Sequence, residues 1–346
     1  MINQAQVLEA LRDVVIAEVR RDIVSLELVE KVKVVGDNIG VTISIPSAFA
    51  EIRDRVEGQV REAVRRLPGV KEVFVAVNIR TMPEKRFLAG VRDVKNIILV
   101  GSGKGGVGKS TTAVNLAVAL ATLGAKVGLL DGDVYGPNVP RMMGLPYGLG
   151  PRARGETLLP MEAYGVKVFS MGFFVREGEP LIWRGPLLHG MIQQLLRDVA
   201  WGELDYLLVD LPPGTGDVQL SLTQLASIAG GVIVSTPQAV AWADAYKAAA
   251  MLLKMEVPIL GFIENMSPFR CPGCGHEAEI FGFGGTERAA REYGVPFLGR
   301  IPLDPCIREA GDKGKPLVVA EPDSEQARAF IDIAKSLLSS LNSTPT

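Results

Sequence analysis

Cysteine is scarce in this chain, with 3 among 346 residues. So few cysteines, and an odd number, argue against the disulfide framework of a small secreted domain. The opening residues, MINQAQVLEALRD, lack the basic segment followed by an apolar run that marks a secretory signal. The longest apolar stretches, such as residues 96–101, are only as long as a strand, so we expect no transmembrane segment. These absences predict a cytoplasmic protein in a reducing compartment, with no membrane partner.

An excess of one charge is absent as well. The chain has 37 basic and 39 acidic residues and a formal net charge of −2. This balance predicts no nucleic-acid partner. Hydrophobic residues make up 47% of the chain and charged residues 22%, which excludes disorder and allows a large core. The length suits one large and one small domain.

Residues 1–80 have the periodicity of a small α+β domain in the order α-β-β-α-β. The clearest helical and alternating patterns run over Val7–Val15, Val41–Ile45, Ile52–Val64 and Val73–Ile79. Segment 81–93 breaks both periods and contains proline and mixed charge, so we predict a linker there.

Residues 94–342 predict an α/β domain with a doubly wound, mostly parallel sheet. Strands that are apolar on both faces and alternate with longer helices are typical of that fold. The apolar runs are Ile97–Val100, Val127–Leu130, Tyr206–Val209, Val232–Val234 and Ile259–Ile263.

The strongest local signal is a phosphate-binding loop that follows the first of these strands. It matches G-x-x-x-x-G-K-[ST] and precedes an apolar helix, so backbone N–H groups and the helix N-terminus converge on phosphate oxygens. The predicted nucleotide-binding residues here are Gly103, Lys104, Gly105, Gly106, Val107, Gly108, Lys109, Ser110 and Thr111. Lys109 is expected to reach the β- and γ-phosphates, and Ser110 to ligate Mg²⁺. The alternative is a glycine-rich turn with chance lysines.

Three aspartates follow apolar strands at what should be the same edge of the sheet. Asp131 and Asp133 end the second strand, and Asp210 ends the strand Tyr206–Val209. Carboxylates at the carboxyl ends of parallel strands face a bound nucleotide. Asp210 fits the Walker B arrangement, which holds Mg²⁺. Each aspartate alone is more often a cap or a turn residue.

A second candidate site is the knuckle Cys271-Pro-Gly-Cys274-Gly-His276. Such a turn brings two sulfurs to one side, as a metal–thiolate centre needs. A tetrahedral or cubane site needs four ligands, and the chain has no second C-x-x-C. We interpret Cys306 as a small buried residue, so the missing pair is expected from a second copy across a two-fold axis.

Other interpretations of the knuckle stay open. Zinc suits thiolates as well as an iron–sulfur cluster does. A redox dithiol would open a helix, whereas the segment Gly275–Gly285 does not look helical. The cysteines could also be unligated, and His276 is either a ligand or a solvated loop residue.

The lysine at position 104 gives the loop the pattern K-G-G-x-G-K-[ST], which resembles the deviant Walker A motif of the MinD/ParA/nitrogenase-iron-protein superfamily. The resemblance implies a dimer in which Lys104 crosses to the partner's nucleotide. It also implies that Asp133 positions or activates the attacking water, and that Asp131 and Asp210 hold Mg²⁺ through its shell. Asn265 would read the adenine edge. The implied catalytic residues are Lys104, Lys109 and Asp133.

Further strings resemble the Mrp/ApbC group of iron–sulfur cluster carriers. They are Trp183-Arg-Gly-Pro186, Trp201-Gly-Glu-Leu-Asp-Tyr206, Asp210-Leu-Pro-Pro-Gly-Thr-Gly-Asp217, Glu264-Asn-Met-Ser267, the knuckle, and Ile301-Pro-Leu-Asp304 followed by Gly311-Asp312. The N-terminal strings Arg21–Leu26 and Leu67–Val70 resemble a SufT-like assembly domain. In that domain an acidic residue and a proline usually stand where this chain has Ala17-Glu18-Val19, and the usual cysteine is absent from Ser44–Ala48. We therefore expect this domain to dock partners or tune the ATPase rather than bind a cluster.

The resemblance implies an ATP-hydrolysing carrier that holds a [4Fe–4S] cluster, bound through Cys271 and Cys274, across a homodimer. Its partners would be scaffold proteins and apo iron–sulfur proteins, with switch segments at 133–136 and 212–217. Three alternatives remain: a MinD/ParA-like positioning ATPase, an electron-donating reductase, and an ATPase with a purely structural zinc. The first would need a membrane-binding tail or a basic DNA-binding face, yet helix Glu325–Leu341 has only Arg328 and Lys335 as cations, which suits an anionic surface poorly.

Overall fold

The computed structural model describes residues 3–16, 21–26, 28–46, 52–80, 89–133, 136–148, 150–155, 157–174, 185–214, 217–271 and 273–343. The chain divides into two compact units, residues 1–84 and 85–346. Several sequence expectations lie outside the described residues. They concern parts of the N-terminal domain strings (17–19 and 47–48), most of the linker (81–88), parts of the two switch segments (134–135 and 215–216), the start of the Trp183 string (183–184) and the proline of the knuckle (272).

The strands and helices of both units follow in chain order. The strands are β1 (Val15–Ile16), β2 (Arg21–Asp22), β3 (Val29–Val35), β4 (Asn38–Pro46), β5 (Glu72–Arg80), β6 (Val94–Gly101), β7 (Val127–Asp131), β8 (Arg152–Arg154), β9 (Thr157–Leu159), β10 (Met161–Ala163), β11 (Val166–Ser170), β12 (Leu204–Asp210), β13 (Gly230–Ser235), β14 (Ile259–Arg270), β15 (Glu277–Ala278) and β16 (Phe297–Leu303). The helices are α1 (Gln4–Leu11), α2 (Arg53–Arg65), α3 (Lys109–Thr122), α4 (Val139–Met142), α5 (Gly185–Asp198), α6 (Asp217–Leu225), α7 (Ala239–Lys254), α8 (Gly285–Tyr293), α9 (Pro305–Asp312), α10 (Leu317–Ala320) and α11 (Glu325–Ser343).

The first unit is an α+β fold around a three-stranded sheet. Strand β4 pairs antiparallel with β3 and parallel with β5. Side chains on one face of the sheet are buried with those of α1 and α2, whereas Phe74 on the other face is 62% exposed. The predicted first helix is shorter than its apolar period. It ends at Leu11, because the β-branched Val15 pairs with Asp22 in a strand instead.

The second unit is a mostly parallel α/β sheet of the P-loop type, as the apolar strands predicted. Its nine strands run in the order β10-β11-β7-β12-β6-β13-β14-β15, with β16 beside β14. Only the short β10 and β15 pair antiparallel with their neighbours among these strands. Buried clusters cover both faces, and α3 is buried over most of its length. In the part of the chain that the structure describes, no helix has the length and apolar character needed to cross a membrane.

The last residues of the expected 81–93 linker belong to the core of the second unit. Residues Ala89–Val91 form a 3-10 turn, and Val91 is buried. A Cβ on Gly90 would lie 2.5 Å from the Leu196 carbonyl oxygen, so this turn packs directly on α5. Proline and charge upstream had masked this short apolar contact in the sequence.

Candidate nucleotide and cysteine sites

The P-loop joins β6 to α3 and needs glycine at defined positions. Gly106 and Gly108 have φ angles of +80° and +81°, a region that L side chains rarely adopt. A Cβ on Gly103 would come within 2.1 Å of the backbone carbon of Asp244, so the loop lies against the second turn of α7. Gly108 also serves as the N-cap of α3, which directs the first helical N–H groups into the loop.

Strand register brings the predicted carboxylates together. Asp210 lies opposite Val100, the residue before the last of β6, and opposite Asp131 on β7. Lys109 Nζ is 2.6 Å from Asp210 Oδ1, 4.0 Å from Asp133 Oδ2 and 3.3 Å from Ser110 Oγ. The fully buried Asp210 Oδ2 has no hydrogen-bond partner among the described residues. A buried, unpaired carboxylate oxygen beside a hydroxyl is the donor set that Mg²⁺ prefers.

Burial sets the electrostatics of this cluster. It raises the pKa of Asp131 to about 8, and the neighbouring charge of Asp210 adds to the rise. Burial also raises the pKa of Asp210, while the ammonium group of Lys109 opposes the shift. These shifts favour the protonated form of Asp131 near neutral pH, and a divalent cation bound beside it would favour the carboxylate form instead.

Both carboxylate oxygens of Asp131 accept hydrogen bonds from other groups of the protein. Its Oδ1 accepts from the Asp133 N–H at 3.2 Å, and its Oδ2 accepts from the Val139 N–H at 3.3 Å and the Ser170 hydroxyl at 2.9 Å. It thereby holds both ends of the loop 132–139. Sequence reasoning missed Ser170, although a serine closing an apolar strand just before Met-Gly was a usable signal.

Three other predicted residues lie in the loop or against it. Lys104 is half-buried, and its carbonyl oxygen accepts from the Ser102 hydroxyl at 3.0 Å. Asn265 is 7% exposed, and its amide donates to the Val107 carbonyl oxygen at 2.8 Å. The Asn265 Oδ1 accepts from the Met266 N–H at 2.9 Å. In this arrangement Asn265 supports the loop, and its contact with adenine stays a prediction. Thr111 Oγ1 lies 3.9 Å from Met142 Sδ.

The cysteine knuckle forms the tip of a β-hairpin between β14 and β15. Arg270 lies opposite Glu277 at its base, and the Cys271 N–H donates to the His276 carbonyl oxygen at 2.9 Å. The N–H groups of Cys274 and Gly273 donate to the Cys271 sulfur and lower its pKa. Cys274 is exposed and Cys271 half-buried. Both thiols are therefore placed for a soft metal that arrives from outside.

The remaining cysteine and the histidine stand apart from this pair. Cys306 lies half-buried in α9 against the core, where burial and then Asp304 raise its thiol pKa to about 12. His276 is exposed. Among the residues that the structure describes, no three His, Cys, Asp or Glu side chains cluster so as to hold a metal. No helix follows the knuckle until Gly285, as expected for a site other than a thioredoxin-type dithiol.

Comparisons with known sequences match both units. Residues 93–338 match the family described as NUBPL iron-transfer P-loop NTPase, and residues 4–77 match the iron-sulfur cluster assembly protein family. The iron-sulfur cluster carrier protein of Synechocystis is 46% identical over 344 residues, which are 97% of each chain. The mouse iron-sulfur cluster transfer protein NUBPL is 50% identical over 278 residues, covering 80% of this chain and 86% of its own.

Solved structures agree on the fold of the second unit. A nucleotide-binding protein of Archaeoglobus fulgidus in complex with ADP is 41% identical with a TM-score of 0.60, covering 70% of this chain and 94% of its own. The cell division ATPase MinD of Pyrococcus furiosus is 26% identical with a TM-score of 0.55, covering 71% and 99%. The predicted resemblance is confirmed: the chain belongs to the NUBPL iron-transfer P-loop NTPase family, with an iron–sulfur cluster assembly domain at its N-terminus.

Proposed function

We propose that this protein is an ATP-binding and ATP-hydrolysing iron–sulfur cluster carrier. It holds a [4Fe–4S] cluster between two copies of itself and transfers it to apo-proteins. The observation that carries the proposal is the paired thiols of Cys271 and Cys274 at an exposed hairpin tip, with no third ligand beside them in the described chain. Two such pairs facing each other across a two-fold axis supply the four thiolates of a cubane cluster.

The nucleotide half of the proposal rests on the P-loop and its carboxylates. Mg²⁺ would be held directly by Ser110 and, through the water molecules of the ion, by Asp131 and Asp210. The Asp210 Oδ2, which has no hydrogen-bond partner among the described residues, fits such a role. Lys109 would bind the β- and γ-phosphates, and Lys104 would reach the partner's nucleotide. The backbone N–H groups of 103–111 would cradle the phosphates. Asp133 would position or activate the attacking water. The Archaeoglobus relative was solved with ADP, which supports the same ligand class here.

The two units have different proposed roles. Residues 94–342 carry both sites, and residues 1–80, joined through 81–93, dock scaffold or client proteins or tune the ATPase. Names of relatives that carry or transfer iron–sulfur clusters support apo iron–sulfur proteins as clients. A structural zinc at the dimer interface is the second candidate, because the exposed Cys274 and the half-buried Cys271, whose pKa is lowered, suit zinc equally.

The decisive experiment compares metal content in two variants. The protein is purified without oxygen, reconstituted with iron and sulfide, and analysed for iron, sulfide and zinc. We expect about four iron and four sulfide per dimer in the unmodified protein and in Cys306→Ala, and none in Cys274→Ala. Zinc alone, bound by the same two thiols, would overturn the carrier proposal and leave the nucleotide site standing.

A further inference from the structure

The segment Glu264–Ser267 lies between the two sites and was given no joint role by the sequence. It lies in the middle of β14, whose register with β16 shifts between Asn265 and Phe269. Met266 has a φ of +62°, and Cys271 follows four residues after Ser267. This stretch of one strand therefore runs directly from the P-loop to the cysteine hairpin, defined here as residues 269–278.

Asn265 attaches this strand to the P-loop. Its side-chain amide donates to the Val107 carbonyl oxygen at 2.8 Å, deep in the protein. The contact is close-fitting, because a Cβ on Gly108 would lie 2.1 Å from Asn265 Nδ2. Val107 and Gly108 are the loop residues immediately before Lys109. A shift of the loop around a phosphate must therefore move, or break from, this amide.

Glu264 attaches the same strand to the segment that follows the cysteine hairpin. Its buried carboxylate accepts from the N–H groups of Gly284 at 3.0 Å and Thr286 at 2.8 Å. Arg300 Nε donates to it at 3.1 Å. Gly284 and Thr286 belong to the segment that returns from the hairpin into α8. Adjacent residues on a strand face opposite ways, so Glu264 holds the hairpin's return while Asn265 holds the loop.

We propose that Glu264 and Asn265 form a mechanical link through which the occupancy of the P-loop sets the geometry and exposure of Cys271 and Cys274. Asn265 acts as a positioning residue in this link. The inference rests on the proposed nucleotide site, and it names how that site regulates the thiols. It needs no cluster, because each of these contacts joins two residues of the same chain.

The test measures thiol reactivity in the metal-free, full-length protein in a Cys306→Ser background, so that only the hairpin thiols react. Iodoacetamide alkylation rates are compared without nucleotide and with saturating Mg·ADP or Mg·ATP, and nucleotide affinity is measured on the same samples. We expect nucleotide to change the rate by about five-fold or more. In Asn265→Ala, measured at nucleotide concentrations that saturate this variant, we expect nucleotide to leave the alkylation rate unchanged.

The matched control is Asn115→Ala. The Asn115 amide is also buried beside the loop, donating to the Thr111 carbonyl oxygen at 2.9 Å and accepting from the Val318 N–H at 3.3 Å. The Asn115 side chain joins α3 to α10, and its hydrogen bonds among the described residues do not involve β14. In Asn115→Ala, nucleotide should therefore still change the alkylation rate. Melting curves check that both variants are folded.

Three results would overturn the link. One is an alkylation rate in the unmodified protein that is the same with and without nucleotide. The affinity measurement then distinguishes failure of the link from failure of nucleotide binding, which would also undo the proposed function. Another is a full response in Asn265→Ala. The third is loss of nucleotide binding in Asn265→Ala alone, which would make Asn265 a ligand-binding residue. This test does not depend on iron or sulfide content. The link would therefore stand even if the metal analysis of the proposed function found only zinc.

Hydrogen exchange on the unmodified protein keeps the inference testable if Asn265→Ala does not fold. Mg·ADP should alter amide protection in residues 264–271 and 275–286 as well as in the P-loop. A change confined to the P-loop would contradict the link.

Discussion

The ammonium group of Lys109 lies 2.6 Å from a carboxylate oxygen of Asp210, and the two side chains are only 7% and 1% exposed. Burial of both charges is tolerated because each is the other's partner. The Lys109 ammonium group thus lies among the carboxylates that would hold a metal ion. Nucleotide binding is expected to exchange this ion pair for two others, lysine with phosphate and carboxylate with Mg²⁺.

Removal of one partner of this pair should be far more damaging than removal of both. Lys109→Ala leaves Asp210 buried without compensation, so we expect the free energy of unfolding to fall by about 3–5 kcal/mol. The double variant Lys109→Ala with Asp210→Asn should recover most of that loss and still not bind nucleotide. Urea denaturation of the single and double variants checks this. Equal free energies of unfolding for the single and double variants would mean that the interaction between Lys109 and Asp210 does not contribute to stability.

Lys104 should matter for hydrolysis and not for folding. It is half-buried at the loop surface, so we expect Lys104→Ala to change stability by no more than about 0.5 kcal/mol. If the lysine stabilises charge on the partner's nucleotide, phosphate release should fall by about 10³-fold. The exposed Lys95, which pairs with Asp205 at 2.8 Å, gives the control variant Lys95→Ala with normal turnover.

A mixing experiment tests whether Lys104 acts across the dimer. In a mixed dimer of Lys104→Ala and Lys109→Ala chains, one site keeps its own Lys109 and receives Lys104 from the partner. Phosphate release should then recover to a substantial fraction of normal, although neither variant alone is active. No recovery in dimers verified as mixed would place Lys104 in the site of its own chain.

Gly108 should not tolerate alanine. Its φ of +81° and the 2.1 Å approach of Asn265 Nδ2 to a Cβ combine backbone strain with a clash. We expect Gly108→Ala to lose nucleotide binding and about 1–3 kcal/mol of stability. In Gly190→Ala, a substitution in α5 with open space around the Cβ, the same change should instead stabilise by about 0.5–1 kcal/mol. Thermal melting of the pair tests the contrast.

Cys306 should react last of the three thiols. Burial and the neighbouring Asp304 raise its pKa to about 12, so almost no nucleophilic thiolate forms near pH 8. Iodoacetamide labelling of the metal-free protein, followed residue by residue by mass spectrometry from pH 7 to 10, should modify Cys271 and Cys274 first. Asp304→Asn should speed labelling of Cys306. Labelling of Cys306 ahead of Cys271 and Cys274 would contradict the raised pKa of its half-buried thiol.

The central strands could be predicted because they are apolar on both faces. Strands β6, β7, β12, β13 and β14 all contain the runs found in the sequence. Strands β11 and β16 were missed, since lysine or arginine interrupts their apolar pattern at Lys167 and Arg300. Both cations have partners only in the folded chain, Lys167 with the Trp201 carbonyl oxygen and Arg300 with Glu264.

By itself, the sequence determined the P-loop, the aspartates that follow the strands, and the knuckle, because each depends on residues close together in the chain. Tertiary structure decided which of these groups meet. The pairing of β12 with both β6 and β7 sets Lys109, Asp131 and Asp210 side by side, although 101 residues separate Lys109 from Asp210. It also decided the bond between Asn265 and Val107, 158 residues apart. Such contacts depend on strand order and register, which no local pattern encodes.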